Sequence, residues 1–135
     1  DVCSSDLEEL TAKLGDGWNR DPTAQDFYDY FAGIPDSQWT TNQFQGKAGC
    51  CCARGHLGIH SVKTHPHNHR LDDALHGLYV QLPDFAIGYN VAVINDGDAH
   101  AWPKSLGTKP RHPKARILKM LEALGARKPM NEEAA

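Results

Sequence analysis

Apolar residues recur at helical spacing along most of this chain. Leu7, Leu10 and Leu14 lie three to four residues apart, and Gly15 stops that segment. The stretch DPTAQDFYDYFAG offers Asp21 as an N-cap, Pro22 at the first helical position, Phe27, Tyr30 and Phe31 on one face, and Gly33 as a terminator. IPDSQWTTNQFQGKAG reads as a loop. From Ala48 to about His60 nearly every residue is small, which suits a helix packed closely on a neighbour, with Ala53, Leu57 and Ile59 available for burial. KTHPHNHR contains Pro66 and no apolar anchor, so it reads as an exposed loop. RLDDALHGLYVQL predicts a helix with Leu71, Leu75, Leu78 and Leu82 facing inward, ended before Pro83. DFAIGYNVAVINDG fits two periods: Phe85, Ile87, Tyr89, Val91 and Val93 alternate as in a strand, whereas Ile87, Val91 and Ile94 fit a helix, which is the reading taken. HPKARILKMLEALG predicts a helix with Pro113 early, Ile117, Leu118, Leu121 and Leu124 apolar, and Gly125 as its stop. The expectation is a mainly α, compact small domain of about five or six helices over residues 8–125, with one short strand or hairpin as the variant, followed by a flexible tail over 126–135.

The first seven residues, DVCSSDL, stand apart. Read back through the genetic code they can be written GAC GTG TGC TCT TCC GAT CT, which matches the end of a sequencing adapter translated in frame and points to a gene assembled from bulk environmental DNA. Residues 1–7 are therefore expected to be a disordered addition. Without Cys3, the remaining cysteines are the consecutive Cys50, Cys51 and Cys52, which cannot staple distant parts of a chain. A reducing, cytoplasmic setting fits that usage. The formal charge of −3 falls to −1 once Asp1 and Asp6 are set aside, so there is no bulk electrostatic case for a nucleic-acid polymer. Basic residues do gather between Lys104 and Arg116, where a solvated loop and helix start account for them. No apolar run is long enough to span a bilayer. The pattern does not fix the oligomeric state and is compatible with a homo-oligomer.

Residues 46–70 concentrate chemistry, with three adjacent cysteines and five of the eight histidines. A zinc site needs four N or S donors, and Cys52, His56 and His60 fall on one face of a helix through this stretch. Against zinc, no second close pair of cysteines exists, and the reading taken is that the domain holds no metal. A cysteine nucleophile needs a lowered pKa from a helix N-terminus or a nearby base. Cys50 in the first turn of the helix, with His56 or His100 as base, would provide that arrangement. Cysteine is equally a small apolar residue suited to close packing, and three in a row favour packing over one tuned thiolate. The chain carries no nucleophile elbow, phosphate loop, dinucleotide fingerprint or paired carboxylates.

Trp39 and Phe44 ahead of Cys52, Ala53, Gly55 and Leu57, a Leu-rich helix, Ile94-Asn95-Asp96, and a closing ILKMLEAL helix form an ordered set of motifs over residues 36–125. The set resembles a family of small uncharacterised proteins frequent in actinobacteria and their phages. This chain departs from that pattern at Arg54 and His56, in its histidine-rich segment and in HAWPKSLGTKPRH. The resemblance implies a compact helical fold and no particular activity. The function expected is a non-enzymatic, phage-encoded binding protein that sequesters a small ligand such as a nucleotide signal, or blocks a host protein. Arg54 would supply a planar cation, Trp39 or Trp102 a stacking face, and His56, Asn95 and Asp96 further pocket contacts. A cysteine-dependent hydrolase and a zinc-stabilised module are the alternatives.

Overall fold

The computed structural model describes Leu10, residues 20–41, 52–57, Ile59 and residues 66–128 of the chain. The protein is mainly α. Among the described residues five helices run in the order α1 (Ala24–Ala32), α2 (Ala53–His56), α3 (Pro66–Tyr79), α4 (Ala92–Asp96) and α5 (Pro113–Ala123). Single 3₁₀ turns lie at Asp36–Gln38 and Lys104–Leu106, and the described residues form no strand. No described helix is long and apolar enough to cross a membrane. Of the expected helix near the N-terminus only Leu10 is described; it is helical and buried.

α1 begins two residues later than the sequence suggests. Thr23, not Asp21, is the N-cap: its hydroxyl accepts from the Asp26 amide at 3.2 Å, and the Asp26 carboxylate accepts from the Thr23 amide at 2.9 Å. This reciprocal pair satisfies two orphan amides and outcompetes the Asp-Pro start. Phe27 and Phe31, four apart, stack with centroids 6.0 Å apart, and Phe31 meets the edge of Trp39 at 5.5 Å. α1 and α4 both pack principally on α5, whose Ile117, Met120 and Leu121 are fully buried.

The capping box carries a pH prediction. Burial pushes the Asp26 carboxyl up, but hydrogen bonds from Arg20 and Thr23 outweigh it and hold the group below its ordinary value of 3.8. A carboxyl depressed in the fold stabilises above its unfolded pKa and loses that contribution as pH falls through the folded value. Urea titrations of the wild type should therefore lose stability more steeply below pH 3.8 than those of Asp26→Asn; parallel acid limbs would show that the cap is not linked to folding.

α3 starts at Pro66, so the expected histidine loop is corrected in its second half: His67 and His69 belong to the first turn of a helix. Proline lacks the amide that a first helical residue leaves unpaired, and its fixed φ suits that position. Leu71, Leu75 and Tyr79 form the buried stripe, and Leu82 is buried just beyond the helix.

Residues 84–91 are neither the expected helix nor a strand; helix resumes only at Ala92. The Tyr79 hydroxyl replaces a backbone partner here, accepting from the Ala86 amide at 3.0 Å and donating to the Ala86 carbonyl at 3.2 Å. The chain then turns at Gly88 (φ +89°), closed by Tyr89 N–H donating to the Ala86 carbonyl at 3.2 Å. That turn leaves Ile87 85% and Tyr89 51% exposed.

α5 is capped as the sequence suggests, with Pro113 following His112, whose Nδ1 accepts from the Lys114 amide at 3.1 Å. The packed chain continues past Gly125 into the segment expected to be a flexible tail. Ala126 is buried, and Arg127 exchanges main-chain hydrogen bonds with the Gln25 amide group at 2.7 and 2.8 Å, fastening the segment to α1.

Candidate functional site

Within the cysteine and histidine stretch, the described residues 52–57 build a short, largely buried turn. The helix expected from Ala48 starts at Ala53, because Cys52 is its extended N-cap, with Sγ accepting from the Gly55 amide at 3.4 Å. Cys52 is buried, and burial pushes its thiol up, the opposite of an activated nucleophile. Cys50 and His60 lie outside the described residues. His56 is 1% exposed and its Nε2 donates to the Gln38 carbonyl at 2.8 Å. Its own carbonyl accepts from the Tyr30 hydroxyl. No cluster of three or more His, Cys, Asp or Glu side chains suited to a metal forms among the described residues.

The other residues proposed to bind a ligand divide into interior and surface. Arg54 faces Asp72, eighteen positions on, in a bidentate pair: Nε to Oδ1 at 2.8 Å and Nη2 to Oδ2 at 2.9 Å. Its fork is thus engaged within the fold. Trp39 is 7% exposed, wedged between Phe31 and the His56 ring at 4.7 Å, so it offers no stacking face to solvent. Its Nε1 is buried without a hydrogen-bond partner among the described residues.

Asn95 is a structural hub. Its Oδ1 accepts from the Ala53 amide at 2.9 Å, and its Nδ2 donates to the Thr40 carbonyl and to the Asp96 carboxylate, both at 3.0 Å. One buried amide therefore ties α4 to the start of α2 and to the segment after Trp39. The Asn95 carbonyl in turn accepts from Arg116 Nε at 3.0 Å and Nη2 at 2.7 Å, while Arg116 Nη1 donates to the carbonyls of Pro110 and Arg111 at 3.1 and 2.8 Å. Burial pulls the Arg116 guanidinium down from its ordinary value. Arg116 escaped the sequence reading; its signal is a cation four residues before Met120, on the inward face of α5.

Gly97 completes this hub. It ends α4 in the left-handed region (φ +67°), with Asp98 N–H donating to the Val93 carbonyl at 3.1 Å. A Cβ there would sit 2.8 Å from Arg116 Nε. Gly97→Ala should therefore cost about 2 kcal/mol in a denaturant titration, combining backbone strain with displacement of Arg116. Cations of the neighbouring segment serve the same end. Lys109 Nζ donates to the Gly97 carbonyl at 2.8 Å, and Lys119 Nζ to the Thr108 carbonyl at 2.7 Å. The basic stretch that the sequence suggested was a solvated loop is in part a set of caps for irregular backbone.

Trp102 and His100 lie elsewhere, at the surface. They line an open cleft of about 290 Å³ with Asp84, Ala86 and Lys104. Trp102 Nε1 donates to the Gly107 carbonyl at 2.9 Å, which fixes the ring. The Asp84 carboxylate accepts from the Ser105 hydroxyl at 2.6 Å and from its amide at 2.9 Å, and these bonds hold its carboxyl below the ordinary range. A second hollow, of about 220 Å³ between His112, Lys114 and Leu118, has its polar groups engaged: Lys114 pairs with Asp36 at 3.0 Å, and His112 Nε2 bonds the Asp36 carbonyl at 3.1 Å.

No protein-family model, curated protein or solved structure matches this chain.

Proposed function

We propose that this protein is a non-enzymatic binding protein that takes a small ligand into the cleft at Trp102. The observation that carries the reading is the convergence of an anchored indole, an imidazole and an ammonium at one open hollow. The remaining polar residues first considered for the ligand, Arg54, His56, Asn95 and Asp96, make hydrogen bonds within the fold. A fixed aromatic face beside a few convergent polar groups is the usual makeup of a small-molecule site. Phage origin, which the motif resemblance suggests, and a sequestering role in a reducing cytoplasm, which the cysteine usage fits, belong to the same proposal.

A second reading, blockade of a partner protein, is favoured by the exposure of Ile87 and Tyr89 on the turn whose Ala86 lines the cleft. Thermal unfolding against a panel of nucleosides, nucleotides and aromatic acids separates the two. A ligand at one hundred times its dissociation constant stabilises the native state by about 2.7 kcal/mol, so a binder should raise the melting temperature in a concentration-dependent way. The shift should vanish in Trp102→Leu. A panel without any such shift would remove the small-ligand reading and leave the exposed turn as the functional surface.

A further inference from the structure

We infer that the ligand of the Trp102 cleft is a flat ring carrying one anionic group, with the ring on the indole and the anion beside Lys104 and His100. This inference rests on the reading of the cleft as the binding site and names the chemistry that the site selects.

Burial alternates along residues 100–104: Ala101 and Pro103 are buried, Trp102 is half-buried, and His100 and Lys104 are exposed. The chain passes from a turn at His100 and Ala101, through extended Pro103, into the 3₁₀ turn at Lys104, and this path brings His100, Trp102 and Lys104 to the lining of one cleft. The indole therefore shares that cleft with two basic side chains. Its N–H is occupied by the Gly107 carbonyl, and the ring packs against the core, so what it offers a ligand is the outer face of a fixed plane. That face suits another flat ring.

The charges restrict the ligand further. Neither the Lys104 ammonium nor the His100 ring has a hydrogen bond or ion pair with the described residues. Both remain available to an anion. Asp84 lines the same cleft as a fixed negative charge, its two oxygens held by Ser105. One anionic group beside Lys104 gains attraction, whereas a string of phosphates would bring charge towards Asp84 and lose it. At about 290 Å³ the cleft holds one compact ring with a single substituent group, near the lower end of ligand pockets at roughly 300 Å³.

The test is calorimetric titration of the full chain with adenosine monophosphate, adenosine, adenosine triphosphate, inorganic phosphate and naphthoate. The monophosphate and naphthoate should bind at least about tenfold more tightly than adenosine, phosphate or the triphosphate, the factor expected for one charge-assisted contact. Lys104→Met, an exposed substitution that leaves the core untouched, should weaken the monophosphate about tenfold and leave adenosine unchanged. Trp102→Phe keeps a flat face and should retain the ranking; a ranking that changes would overturn the inference. Adenosine binding as tightly as its monophosphate, or the triphosphate binding more tightly, both abolished by Trp102→Leu, would overturn the anionic class while sparing the cleft. Absence of heat with every compound would overturn the inference and the cleft reading together.

Discussion

Replacing Arg116 by methionine should lower the unfolding free energy by about 3–5 kcal/mol, measured by urea denaturation, with the Lys variant nearly as damaged. Arg116 is 6% exposed and distributes its guanidinium donors over the carbonyls of Asn95, Pro110 and Arg111. Those carbonyls belong to the end of α4 and to the irregular approach to α5, where no helix or sheet ladder supplies partners. Methionine matches the volume of the aliphatic stem but leaves the acceptors bare. A lysine ammonium is a point donor and cannot span a fork of three carbonyls. A loss under 1 kcal/mol would mean that water replaces the guanidinium cheaply and that the hub is less closed than its burial indicates.

The second large effect is at Asn95, where alanine should cost about 3 kcal/mol. The substitution strips the buried Ala53 amide of its acceptor and the Thr40 carbonyl of its donor, and it opens a small cavity between α2, α4 and the preceding loop. Aspartate should fare little better, because it can accept from Ala53 but sets a carboxylate against the Thr40 carbonyl. Arg116 donates to the main-chain carbonyl of Asn95, so a backbone shift in either variant weakens the other's contacts, and the double variant should lose less than the sum of the singles. Strict additivity would show that the two residues act on separate parts of the fold.

These expectations also mark where the sequence stopped being legible. Phe27 with Phe31, Leu71 with Leu75, and Ile117 with Leu121 repeat at intervals that only a helix buries, and all six are fully buried. Helix starts were harder, because neighbouring signals compete. Asp21-Pro22 resembles a cap and first turn, yet the reciprocal Thr23–Asp26 pair satisfies more backbone and wins. Pro66 was read as part of an exposed loop, whereas it begins a helix. Residues 84–91 carry two apolar periods, and the outcome depended on Tyr79, whose hydroxyl holds Ala86 from outside the segment. No local pattern contains that contact.

The candidate site divided in the same way. Asn95 and Asp96 were expected as pocket contacts, and the partners that engage Asn95 instead, Ala53, Thr40 and Arg116, arrive from distant segments. Arg54 looked available because its partner Asp72 lies eighteen positions away, on another helix. The Trp102 cleft was partly visible: Trp102 was expected as a stacking face, but Asp84 and Ala86 join it through the tertiary fold. The division has a physical cause. Polar side chains buried by long-range packing are the ones whose roles periodicity cannot assign.

Backbone amide spectra recorded during titration with adenosine monophosphate test the central claim most directly. Binding in the Trp102 cleft predicts that the resonances of Asp84, Ala86, His100, Ala101, Trp102 and Lys104 move together with ligand concentration, while those of Arg54, Asp72 and Asn95 stay in place. Movement centred on Arg54 and Asp72, or a spectrum unchanged at millimolar ligand, would contradict it.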